Sequence, residues 1–187
     1  EKGINIDMTP VKSGERYFYV WSHRKNIGTP LDTGSMLMIA EFDPVHPERL
    51  ISEPKCLSRP LYGFENTEHT INNEGPYAFY YNNKIYLAYS GGDARGYLYA
   101  IGMLTANDGD DLCDLSVWEK AKTPIASFAT IPGEYGPGHN SFFWDRDQNL
   151  WIAYHAVTSF EEKIVSSGMR RVYFEQDKTP RFDVIVE

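Results

Sequence analysis

Three stretches of this chain repeat one pattern of polar and hydrophobic positions. A polar or charged residue opens a short aromatic-apolar run, a polar turn follows, and a second aromatic run returns. The first goes from Ile6-Asp7-Met8-Thr9-Pro10 through Ser13-Gly14-Glu15 to Tyr17-Phe18-Tyr19-Val20-Trp21-Ser22. The second opens at Asn73-Glu74-Gly75-Pro76-Tyr77, turns at Asn82-Asn83 and returns as Ile85-Tyr86-Leu87-Ala88-Tyr89-Ser90. The third opens at Gly138-His139-Asn140-Ser141-Phe142, turns between Asp145 and Asn149, and returns as Leu150-Trp151-Ile152-Ala153-Tyr154-His155. Two strand-like runs around a short polar turn predict a β-hairpin each time. A further strand is predicted after each hairpin, at 36–42, 98–104 and 171–174, with a fourth late in each unit.

Asp7 and Glu74 are 67 residues apart, and Glu74 and His139 are 65 apart. The units are therefore about 1–66, 67–132 and 133–187. Four short antiparallel strands in units of this length predict an all-β fold of propeller blades with long loops. A β-sandwich also has many short strands, but it does not predict one hairpin three times with a polar residue at the same place. The acidic stretch 107–118 predicts a solvated loop with one short helical turn near 115–118. It lacks the alternating ligands and twelfth-position glutamate of a calcium-binding EF-hand loop.

Composition narrows the function. Of 187 residues 14% are aromatic, with 13 tyrosines and 10 phenylalanines. Such residues suit half-buried strands, and their flat rings also line sugar-binding clefts. The formal net charge is −8. There is no basic patch for nucleic acid, no Lys-Arg cluster for an anionic membrane, and no apolar run of about 20 residues. A neutral substrate fits this balance. Cys56 and Cys113 match no zinc spacing and are expected to be free thiols. Residues 1–7 contain no signal-peptide apolar region, and the start reads as that of a cut piece.

In a propeller the innermost strand of each blade faces the central axis. Asp7, Glu74 and His139 open the innermost strands, so the three groups are expected to meet there. Charges beside an apolar core are costly unless they are used or paired. Two converging carboxylates suit glycoside hydrolysis, in which one donates a proton to the leaving oxygen and a second activates water or attacks the sugar. A nearby carboxylate and partial burial favour the protonated form that an acid needs. Glu74, before Gly75-Pro76, is the candidate acid. His139, in Tyr135-Gly136-Pro137-Gly138-His139, could as a neutral imidazole bind a metal or an axial water.

These motifs, in this order and at this spacing, resemble the family 43 glycoside hydrolases across nearly the whole chain. Within that family the chain is most similar to α-L-arabinofuranosidases, with β-xylosidases on the same scaffold. The resemblance implies an all-β, five-bladed β-propeller, of which this chain supplies about three blades. It implies inverting hydrolysis with Glu74 as general acid and Asp7 as the aspartate that tunes and orients it. It implies His139 as the protein ligand of a structural Ca2+ at the axis, and Arg171 as a substrate-binding residue. Tyr77, Ser90 and Tyr135, within or beside the motifs, are further candidates for holding sugar. The implied partner is a plant cell-wall oligosaccharide or polysaccharide. The base aspartate belongs to a first blade, and nothing before Asp7 supplies it. The chain alone is therefore expected to be inactive, its remaining blades lying on another chain or segment. A carbohydrate-binding propeller without catalysis is the competing reading.

Overall fold

A computed structural model describes residues 3–159, 161 and 164–184. The first sheet is formed by β1 (Ile4–Ser13), β2 (Arg16–Arg24), β3 (Met36–Glu41) and β4 (Lys55–Ser58), in that spatial order. The second repeats it with β5 (Asn73–Tyr81), β6 (Lys84–Gly91), β7 (Ala100–Asn107) and β8 (Glu119–Lys120). The third has β9 (Tyr135–Trp144), β10 (Leu150–Val157) and β11 (Val165–Arg171), and a ribbon of β12 (Tyr173–Phe174) and β13 (Pro180–Arg181) follows. Every strand pairing within these sheets is antiparallel.

The predicted hairpins are all present. Asn82 and Asn83 both take positive φ (52° and 61°), as a two-residue hairpin turn between right-twisted strands requires. The stretch 107–118 is a loop ending in one 3-10 turn, Leu115–Val117, capped by the Asp114 carboxylate on the Ser116 N–H. The third unit departs from expectation. Its outer strand is Val165–Arg171, and Tyr173–Phe174 pairs with Pro180–Arg181 instead. Val165–Arg171 alternates exposed and half-buried positions and holds Ser166, Ser167 and Gly168, so its apolar signal is weak.

The sheets stack face to face, and the alternation of β6 explains how. Ile85, Leu87 and Tyr89 pack with Phe18, Val20 and Ile39 of the first sheet. Tyr86 and Ala88, on the opposite face, pack with Phe142, Ile152 and Tyr154 of the third. Burying both faces of the middle sheet makes β6 almost continuously apolar. The outer faces differ. Ile6 and Met8 on one, and Val165 and Met169 on the other, are exposed. A groove of about 910 Å³ on the first sheet is lined by Ile6, Met8, Tyr19, Trp21 and Met38 among others.

Candidate active site

Each inner strand carries a bulge at the same register. Asp7 and Met8 face Trp21, Gly75 and Pro76 face Tyr89, and Asn140 with His139 faces Tyr154. The leading residue of each bulge has positive φ: 57° at Asp7, 56° at Gly75 and 50° at His139. A left-handed conformation is ordinary for glycine and strained for aspartate and histidine, and such strain gathers at functional sites. The register corrects the repeat read from the sequence. The residue equivalent to Asp7 and His139 is Gly75, and Glu74 stands one position earlier, opposite Ser90. Its side chain accordingly leaves the strand in a different direction from those of Asp7 and His139.

The bulges also join the sheets. The Gly75 N–H lies 3.2 Å from both the Ser22 hydroxyl and Asp7 Oδ2, and Ser22 donates to the same Asp7 oxygen at 3.2 Å. One sheet along, the His139 N–H donates to Ser90 Oγ at 2.7 Å. Ser22 and Ser90 hold the same position in β2 and β6, and His155 holds it in β10. Ser90 was expected to hold sugar. Its side chain is fully buried and serves as this joint.

Asp7 and His139 come together at Gly75, the residue that follows Glu74. His139 Nε2 is 3.7 Å from Asp7 Oδ1, and the imidazole lies over Gly75, where an added Cβ would sit 3.3 Å from Nδ1. Glu74 is partly buried, and its Oε1 accepts from the Tyr99 hydroxyl at 2.7 Å. The His155 ring stacks on Tyr99 (5.6 Å, 11°) and on His139 (6.3 Å, 14°). Burial, then the neighbouring His139, lowers the pKa of His155 and favours its neutral form. Arg24 is held by two 2.8 Å bonds to Asp32, and its pKa is raised by that bond first and more weakly by the negative charge of Glu74.

Tyr77 lines an axial cavity of about 410 Å³ with Asp7, Gly75, His139 and Asn140. Both side-chain amide atoms of the buried Asn140 lack a partner among the described residues. Tyr135 opens β9 opposite Val157, its ring edge-on to Tyr97. Arg171 is not brought to this group. It is exposed at the Phe143–Trp151 end of the third sheet, away from the Gly138–His155 end, with its guanidinium over the Tyr173 ring. No three His, Cys, Asp or Glu side chains are grouped as metal ligands among the described residues. Cys56 and Cys113 are free thiols.

Sequence reasoning missed Ser22, Arg24, Tyr99 and His155. Aligning the second strands of the three hairpins as well as the first would have placed Ser22, Ser90 and His155 in one register. Tyr99 falls within the strand predicted over 98–104 and reads as an ordinary strand aromatic, whereas the structure places it just before β7.

Residues 2–180 match the family described as Glycosyl hydrolases family 43. The chain is 28% identical over 192 aligned residues to an extracellular exo-α-(1→5)-L-arabinofuranosidase of Streptomyces avermitilis, covering 98% of this chain and 38% of that protein. It is 35% identical over 154 residues to an enzyme of the same description from Streptomyces chartreusis, covering 82% and 45%. The crystal structure of an α-L-arabinofuranosidase from Lactobacillus brevis superimposes with a TM-score of 0.81 at 29% identity, covering 96% of this chain and 55% of that one. The chain thus spans about half the length of the relatives it matches, and its sheets correspond to about half of a five-bladed propeller. This chain belongs to glycosyl hydrolase family 43.

Proposed function

We propose that this chain supplies the acid half of an inverting α-L-arabinofuranosidase acting on arabinan or arabinoxylan-type oligosaccharides. One observation carries the reading. Glu74, a partly buried carboxylate, directly precedes Gly75, on which the strained Asp7 and His139 converge where three inner strands meet. In this reading Glu74 protonates the leaving oxygen, and Asp7 orients the site through its contacts to Gly75, Ser22 and His139. The base that activates water comes from a further blade, and the chain alone is inactive. The exposed apolar groove beside Trp21 and Met38 supports a blade packing there. The arabinofuranoside preference rests on the similarity to the Streptomyces and Lactobacillus proteins.

A Ca2+ at the axis belongs to the same reading, with His139 as its protein ligand and water at the other positions. Its support is the buried Asn140 side chain, which lines the cavity with His139 and Asp7 and whose amide has no partner among the described residues. The ion would supply fixed positive charge near the carboxylates.

The test is Glu74→Gln in the complete propeller. Turnover of an unactivated arabinoside is expected to fall on the order of 10³-fold. An aryl arabinoside with a good leaving group should lose much less, because it needs little protonation. Near wild-type turnover of the unactivated substrate would overturn the assignment.

A further inference from the structure

Tyr99 is the largest group on Glu74 that the reading above leaves without a role. Its side chain is fully buried just before β7, and its hydroxyl is 2.7 Å from Glu74 Oε1. Two features build the slot for its ring. A Cβ at Gly138 would come within 2.0 Å of Tyr99 Cε1, so that position must be glycine while Tyr99 is there. On another side the His155 ring stacks at 5.6 Å. The pair of glycines around Pro137 therefore does more than tighten the entry to β9, since Gly138 makes room for a phenol aimed at the acid.

The bonds behind Tyr99 set its direction. The His139 backbone N–H can only donate, and it donates to Ser90 Oγ at 2.7 Å. Ser90 lies beside the Tyr99 hydroxyl, and the phenol donates its hydrogen to Glu74 Oε1. Burial, then the charge of Glu74, pushes the Tyr99 pKa far up, so the hydroxyl keeps its hydrogen throughout the neutral range.

We propose that Tyr99 is a positioning residue that makes Oε1 of Glu74 a permanent acceptor and so assigns the transferable proton to Oε2. This rests on Glu74 being the general acid. A carboxylic acid free to rotate offers its proton from either oxygen, and only one can face the leaving group. The Tyr99–Glu74 bond, with the phenol ring fixed between Gly138 and His155, removes that ambiguity and links the third sheet to the acid of the second.

The test compares Tyr99→Phe with wild type and Glu74→Gln in the complete propeller. Phenylalanine keeps the ring in its slot and removes only the hydroxyl. For an unactivated arabinoside kcat is expected to fall roughly 10- to 100-fold with KM little changed, and an activated aryl arabinoside should be affected much less. The alkaline limb of the pH–rate profile should move to higher pH, because a hydrogen bond that favours the charged carboxylate is lost. A merely structural role would lower kcat equally for both leaving groups and leave that limb in place, which would overturn the proposal. If Glu74→Gln is dead and Tyr99→Phe shows neither effect, the Tyr99 inference fails while the acid assignment stands. If Glu74→Gln stays active, the acid assignment itself fails and takes the role of Tyr99 with it. Should Tyr99→Phe not fold, proton NMR of the wild-type protein decides. A Tyr99 hydroxyl resonance that moves as Glu74 titrates, and is lost in Glu74→Gln, supports the coupling. A resonance indifferent to both overturns it.

Discussion

Glu65 and Glu74 stand on either side of Asn73, yet the chain treats the two carboxylates in opposite ways. Glu65, at the end of the 3-10 turn Gly63–Glu65, is fully buried. Its Oε1 accepts from Tyr89 (2.7 Å), Asn73 (2.9 Å) and Lys120 (2.5 Å), and its Oε2 from the Leu61 and Tyr62 N–H groups (2.7 Å each). Lys120 sits over the Tyr62 and Tyr89 rings as well. Glu74 is partly exposed, and among the described residues its side chain has one hydrogen bond, to Tyr99. A buried charge is tolerable only when its lone pairs are filled. A carboxylate that must exchange a proton with a substrate has to keep an oxygen free. The difference separates a charge that fixes the β5 entrance from a charge left available for chemistry.

The largest expected effect comes from emptying the first of these sites. Glu65→Ala strands Lys120, the Tyr89 hydroxyl and two backbone N–H groups in a dry space. The loss should be about 3–5 kcal/mol of unfolding free energy, read from the urea midpoint at constant slope. Glu74→Gln is its counterpart and should leave the urea midpoint nearly in place, since the amide oxygen still accepts from Tyr99. Equal losses at the two positions would erase the distinction.

Strain at the inner-strand bulges offers a second, smaller contrast. His139 holds φ at 50°. His139→Gly and His139→Ala both remove the imidazole, but only glycine relaxes the left-handed backbone. The glycine variant should therefore be more stable than the alanine variant by about 1 kcal/mol in parallel urea titrations. Equal midpoints would mean that the bulge is held without strain.

The two carboxylates also differ in how legible they were. The hairpins and the stacking of units could be read because β1, β5 and β9 repeat an aromatic pattern beside a polar opening. That same chemistry misplaced one residue. Matching titratable groups aligned Glu74 with Asp7 and His139, whereas the backbone aligns Gly75 with them. Glu65 was invisible for a physical reason. It lies in an irregular loop with no hydrophobic period, and its partners Tyr89 and Lys120 reach it from distant strands. Tyr99 was hidden differently, as an ordinary aromatic of the strand predicted over 98–104. Arg171 shows the converse, since a residue type matched a role while the strand register carried it to the far end of its sheet.

Asp145 tests whether satisfied bonds alone, without burial, produce the behaviour of Glu65. It sits in the β9–β10 turn and accepts from Trp151 Nε1 (2.7 Å), Asn149 Nδ2 (3.0 Å) and the Asn149 and Asp147 N–H groups (2.8 and 2.9 Å). Chiefly the Trp151 bond, with those of Asn149, lowers its pKa to about 2 from an ordinary 3.8. A carboxylate whose folded value lies below its unfolded one contributes stability above the unfolded value and loses it as pH falls through the folded one. The contribution is thus complete above about pH 5, declines through pH 4 to 2, and is gone below. Asp145→Asn should have a lower Tm than wild type at pH 6, and the gap should close by about pH 2. The gap should be small, because the site is open to water and screened by salt. A gap as large as that of Glu65→Ala would mean that hydrogen-bond count, and not burial, separates the carboxylates of this fold.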